Sequence, residues 1–92
     1  MSITILYETL LKRAAGTASD VVNVDRTCSV KEAIRQIARL KGDPVESLLL
    51  DASGAVRPSV LIFVGDRQVS ASDLHTLRDG DVVTLMSPIS GG

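Results

Sequence analysis

Ser29-Val30-Lys31-Glu32-Ala33-Ile34-Arg35-Gln36-Ile37-Ala38-Arg39-Leu40-Lys41-Gly42 carries the complete punctuation of one amphipathic helix. Ser29 followed three residues later by Glu32 is a capping box. The serine hydroxyl accepts from the Glu32 amide and the carboxylate reaches back to the Ser29 amide, so two donors orphaned by the first turn are satisfied. Val30, Ala33, Ile34, Ile37, Ala38 and Lys41 then recur at helical spacing, with Lys31, Arg35 and Arg39 on the far face. Gly42 stands at the C′ position, and Pro44 prevents continuation. The spacing predicts a helix over 30–41.

Working outward from that helix, strand signals lie on both sides. Ser2 to Glu8 is rich in β-branched residues and reads as a strand, with Ile3, Ile5 and Tyr7 on one face and Thr4 and Leu6 on the other. Both faces are largely apolar, which predicts an interior position. Leu10 to Ala15 fits a short helical turn closed by Gly16, and Val21 to Val24 a second strand in a hairpin-like arrangement. After the helix, Val45 to Leu50 fits either a short helical turn or a buried edge. Asp51-Ala52-Ser53-Gly54 is a turn, Val60 to Val64 a fully apolar strand, Gly65-Asp66-Arg67 a turn and Gln68-Val69 a short return strand. Asp73 to Leu77 reads as irregular or 3₁₀. Asp79-Gly80-Asp81 is a tight turn that launches the last strand, Val82 to Met86, and Pro88, without an amide proton, blocks further pairing. The order predicts an α+β fold: a mixed sheet of four to five strands packed on one main helix, with the first and last strands side by side. The expected division is a domain over 1–86 and a flexible tail over 87–92.

Composition narrows the function. The chain has 92 residues, enough for one domain. Apolar residues make up 45% but aromatics only 2%, so the core must be aliphatic and a base-stacking nucleic-acid platform lacks its rings. A net charge of −1 without a run of Lys or Arg removes the usual footprint for nucleic-acid or membrane-surface binding. No apolar stretch approaches the ~20 residues of a membrane span, and Met1 to Ile5 has no signal-peptide character. One cysteine fits a reducing, cytoplasmic location.

The element order, together with Leu77-Arg78-Asp79-Gly80-Asp81-Val82-Val83 and the terminal Ser87-Pro88-Ile89-Ser90-Gly91-Gly92, resembles the molybdopterin-synthase small-subunit and thiamine-sulfur-carrier family, β-grasp proteins of the ubiquitin superfamily. The resemblance covers essentially the whole chain. It implies a sulfur carrier and not an enzyme: the Gly92 carboxylate is adenylated with ATP on an E1-like activating enzyme, then converted to a thiocarboxylate that donates sulfur to a synthase. No cofactor is bound by the carrier itself. The pathway stays open among molybdopterin, thiamine and cysteine synthesis. Met86 stands where those relatives usually carry an aromatic, and Gln68 where they often carry an apolar residue. Asp51 to Ser59 is more similar to carriers serving cysteine synthesis and to ubiquitin-related modifiers. Two further readings remain: a modifier joined to target lysines through the same terminus, and a β-grasp interaction module with an inert tail.

Such chemistry constrains the tail. Gly91 and Gly92 have no Cβ, so the reacting carbon can be approached closely inside a narrow channel. Ser87 to Gly92, if extended, spans roughly 20 Å at ~3.4 Å per residue. Pro88 stiffens the exit, while Ile89 and Ser90 complete the segment that a partner grips. The resemblance assigns Met86 and Gln68 to the docking surface, as an apolar patch around Met86 extended by Ile89. Which of Leu61, Ile62, Phe63, Thr84 and Leu85 face outward depends on the sheet geometry. Elsewhere the chemistry is sparse. Cys28, just before the helix cap, reads as a partly buried packing residue near Ala33, and His75 as a turn residue. One Cys and one His do not make a metal site. Glu8, Asp20, Asp25, Glu32 and Glu46 read as solvated faces or caps, and Arg57-Pro58 as the approach to a strand.

Overall fold

The capping box forms as expected. In the computed structural model, which describes residues 1–24, 26–72 and 75–87, helix α2 spans Val30–Lys41. The Ser29 hydroxyl accepts from the Glu32 amide at 3.1 Å and the Glu32 carboxylate from the Ser29 amide at 3.1 Å. That backbone hydrogen bond, with the hydroxyl bond beside it, holds the Glu32 carboxyl below its ordinary value. Val30, Ala33, Ile34, Ile37 and Ala38 are buried, and Gly42 closes the helix at φ +69°. The ambiguous segment after it resolves as a short helix, α3, Val45–Leu49, with Val45 and Leu49 buried. The Asp43 carboxylate accepts from the Ser47 amide and serves one of its orphan donors.

Ser2–Glu8 forms β1, Thr9–Ala15 helix α1, Ser19–Asn23 β2, Leu61–Val64 β3, Arg67–Val69 β4 and Val82–Ser87 β5. The five strands lie in the order β2-β1-β5-β3-β4. The first and last strands run parallel, Ile5 opposite Val83 and Tyr7 opposite Leu85, while the other pairs are antiparallel. β1 is therefore interior, as its two apolar faces required. β2 begins two residues before the expected Val21. Ser19 and Asp20 have weak strand preference, and the ladder from Leu6 and Ile5 draws them in. A two-residue turn joins β3 to β4, and Gly65 occupies φ +61° there, a conformation open to glycine at little cost. Of the expected 73–77 segment, Asp73 and Leu74 lie outside the described residues. Thr76 forms a bridge to Ser29, not a 3₁₀ turn, and the Leu77 amide donates to the Cys28 carbonyl at 2.9 Å.

The aspartate-glycine-aspartate turn has a clear physical task. Asp79 Oδ1 accepts from the Ser2 amide at 2.7 Å. The Gly80 amide donates to the Ser2 carbonyl at 2.8 Å, and the Thr4 amide donates to the Asp81 carbonyl at 3.0 Å. Asp81 Oδ2 accepts from the Arg78 amide at 2.8 Å and tightens the loop. The turn thus fastens the start of β5 to the start of β1.

The buried apolar sheet residues join one largely aliphatic core with the helices: Ile3, Ile5, Tyr7, Val22, Ile62, Val83 and Leu85 meet Leu11, Ile34, Ile37, Val45 and Leu49. Each such side chain contributes about 1.5–3 kcal/mol when fully buried. Its one aromatic is anchored by charge. The Tyr7 hydroxyl donates to Asp20 at 2.8 Å, and Lys41 pairs with the same carboxylate oxygen at 3.0 Å. Asp20 is therefore not the solvated or capping carboxylate expected. It joins β1, β2 and α2. Burial and the Asp20 hydrogen bond push the Tyr7 hydroxyl above its ordinary value. For Asp20 itself burial acts upward, but the hydrogen bonds from Lys41 and Tyr7 and the lysine charge outweigh it and hold the carboxyl below its usual range. A depressed folded value means that its stabilisation is complete above the unfolded value of about 3.9 and is lost as pH falls through the lower folded value. Asp20→Asn is expected to be less stable than the parent at neutral pH and to lose less stability between neutral pH and about pH 2, measured by denaturant unfolding across that range.

Candidate functional site

Registering β1, β3, β4 and β5 against one another settles which side chains face away from the core. Thr84 pairs with Leu6 and Phe63, and Phe63 with Gln68, so these four lie in one row across the sheet. Met86 pairs with Glu8 and Leu61 in the next row. Val82 pairs with Thr4, which pairs with Val21, on the other side of the first. Ile62 and Leu85 alternate to the opposite face and are buried. Met86 and Gln68, the two expected docking residues in the described part, therefore share one face, separated by Leu61, Phe63 and Thr84.

That face is open and apolar. Val21 is 56% exposed and Leu61 38%, while Leu6, Phe63, Val82 and Met86 are partly buried among their neighbours. An antiparallel edge of a sheet with one solvated face ordinarily alternates apolar-in and polar-out. Here the outer row keeps Leu, Phe, Val and Met, with Glu8 and Gln68 at its margins. Thr4 and Thr84 stand among these apolar side chains. Apolar surface left open in this way is where proteins associate, and Met86 adds an unbranched, polarizable side chain. Leu6, Val21 and Val82 were not singled out from the sequence. The apolar second face of β1 was the signal that could have found them.

β5 runs one residue beyond the expected Met86. Ser87 is buried at 8% exposure, and a bridge from Thr9 to Ser87 prolongs the β1–β5 ladder. The Thr9 hydroxyl lies 2.8 Å from the Glu8 carbonyl and 3.1 Å from the Ser87 carbonyl, as their donor. Pro88, Ile89, Ser90, Gly91 and Gly92 lie outside the described residues.

The remaining chemical groups are occupied elsewhere. Cys28 is buried, and burial together with the Glu32 charge raises its thiol above the ordinary value against the opposing influence of Arg26. Such a thiol stays protonated and is a poor nucleophile at neutral pH. Arg57 donates through Nε to the Ser47 carbonyl at 2.8 Å, and its amide donates to the Leu49 carbonyl at 2.8 Å, so it fixes the approach to β3. His75 is partly exposed. Among the described residues no group of three His, Cys, Asp or Glu side chains is placed to hold a metal ion, and no helix is long and apolar enough to cross a membrane.

A five-stranded mixed sheet with parallel first and last strands, helices on one face and the other face open, defines a ubiquitin-like β-grasp fold. The chain superposes on SAMP1 of Haloferax volcanii, small archaeal modifier protein 1, with a TM-score of 0.85 and 21% identity over 100% of both chains. It is similar in the same way to Urm1 of Sulfolobus solfataricus, with a TM-score of 0.63 and 15% identity over 92% of this chain and 99% of that one. The third similar structure is the complex of subunits 1 and 2 of the molybdopterin-converting factor from Helicobacter pylori, with a TM-score of 0.61 and 20% identity over 100% of both chains. No protein-family model and no curated protein sequence matches the chain. What is shared at these identities is the fold.

The two faces of the sheet should respond differently to truncation. Leu85→Ala, on the packed face, is expected to cost about 2–5 kcal/mol. Leu61→Ala, on the open face, should cost less than about 1 kcal/mol. Urea unfolding of the two variants measures both.

Proposed function

We propose that this protein is a sulfur carrier whose C-terminal carboxyl is activated and loaded by partner enzymes. The observation that carries the reading is the placement of β5. It passes through the middle of an open apolar sheet face and ends at Ser87, with Gly91 and Gly92 four and five residues further on. A partner docked on Leu61, Phe63 and Met86 would meet the chain leaving the sheet beside its own surface. The likeness to a subunit of a molybdopterin-converting factor supports the same class.

The chemistry balances without any catalytic group on the carrier. A carboxylate is a poor electrophile. In the activating enzyme the Gly92 carboxylate attacks the α-phosphorus of ATP and pyrophosphate leaves. Hydrosulfide then attacks the carbonyl carbon of the acyl-adenylate, the bond to AMP breaks, and a thiocarboxylate with one released proton remains. Its sulfur is a soft nucleophile toward an acceptor held by a synthase. The absence of a Cβ at both glycines lets the adenylating site close around the reacting carbon, and the ordering of the segment is repaid by the grip of the channel. The carrier is in this sense a protein cosubstrate.

A second reading is conjugation to target lysines, favoured by the likeness to a small archaeal modifier protein. The acyl-adenylate is common to both. The chain has three lysines, Lys12, Lys31 and Lys41, and Lys41 is held by Asp20, which leaves few acceptors for self-chains.

Incubation with ATP, a β-grasp-activating adenylating enzyme and sulfide, followed by intact mass, tests the proposal. The expected product is heavier by the difference between one sulfur and one oxygen. Gly92→Ala should slow its formation with the unfolding midpoint unchanged, and removal of Gly91 and Gly92 should abolish it. Undiminished loading of the shortened chain rules the terminus out. Higher-mass conjugates that need the terminus, with no sulfur exchange, favour the modifier reading.

A further inference from the structure

Thr9 adopts φ +52°, the one non-glycine residue at positive φ among those described. A β-branched side chain in the left-handed region crowds its own backbone and is a rare outlier. Glycine or asparagine would make the same turn from β1 into α1 at lower cost. The threonine hydroxyl supplies a donor that glycine lacks. It has one proton, shared between the Glu8 carbonyl at 2.8 Å and the Ser87 carbonyl at 3.1 Å. Ser87 is the last residue of β5, and it is held from beneath by its own burial and from the side by the bridge to Thr9. Strain of this kind persists where the surrounding structure over-determines it and is concentrated at functional positions.

We infer that Thr9 is a positioning residue that fixes where, and in which direction, the chain leaves the sheet toward Gly92. This rests on the carrier reading above and deepens it. With its carbonyl clamped, Ser87 gives the chain a fixed starting point and direction, whereas a last strand residue free to fray would present Gly92 to a docked adenylating site less often. The clamp acts after the folded body has bound. It therefore belongs to the rate of activation of the bound carrier and not to the affinity of the sheet face, from which Thr9 is separate.

Three variants separate the hydroxyl from the backbone. Thr9→Val keeps the shape and loses the proton. Thr9→Gly loses the proton and relieves the left-handed conformation, which keeps a folded hydroxyl-free chain in hand. Thr9→Ser keeps the proton. In ATP-dependent activation, Val and Gly should lower kcat by about two- to tenfold, the worth of one hydrogen bond, with KM for the carrier unchanged, and Ser should restore it. In the isolated protein, the Ser87 carbonyl carbon resonance and the Ser87 N–H residual dipolar coupling should shift in Val and Gly and stay in Ser. Wild-type kcat in Val and Gly overturns the inference, as does a Ser87 resonance that does not move. Parent protein that is never activated removes the carrier reading alone, and the Ser87 measurements still decide whether Thr9 holds the exit.

Discussion

The parallel pairing of β1 with β5 is the constraint on which the rest depends. It joins the first strand to the last, Ile5 to Val83 and Tyr7 to Leu85, so every other element must fit between them. A pairing so distant in sequence carries a large closure cost, and the chain fastens it at both ends. At one end Asp79 and Gly80 bind the backbone of Ser2. At the other, Thr9 bridges Ser87. The aspartate-glycine-aspartate turn is thus a latch between the two halves as well as a change of direction.

With those strands side by side, the sheet has one face to cover and one to leave. The covering is aliphatic and is supplied by α1, α2 and α3 through Leu11, the α2 stripe, Val45 and Leu49. The tyrosine within it is accommodated because Asp20, itself paired with Lys41, accepts from its hydroxyl at the margin, so a polar atom enters the packed layer with its hydrogen bond made. The opposite face keeps Leu61, Phe63, Val82 and Met86 without a helix over them. An uncovered apolar face weakens no packing of the monomer but gives a partner a ready surface, and the same strand that crosses it ends at the carboxyl-terminal segment.

Away from that face, the chemically versatile side chains of the described part serve the fold. Its thiol is buried and held protonated, its arginine at the strand approach serves backbone carbonyls, and Glu32, Asp43, Asp51, Asp79 and Asp81 accept from backbone amides in caps and turns. On the proposed carrier reading, what the protein contributes is presentation more than reactivity: a packed body and one open sheet face.

Much of this was legible in the chain because the signals were local. The capping box, the α2 stripe, Gly42 and Pro44 marked the helix to the residue, and β1, the helical turn after it and the turn before β5 stood where their residue types placed them. Met86 and Gln68, which the resemblance assigns to a docking surface, fall on one face. Only the tertiary structure decided that Leu61, Phe63 and Thr84 look outward while Ile62 and Leu85 look in, that Asp20 is the partner of Tyr7 and Lys41, and that Thr9 reaches Ser87. The reason is physical: a strand apolar on both sides carries no facing signal of its own, and its orientation is set by register with strands far away in the chain.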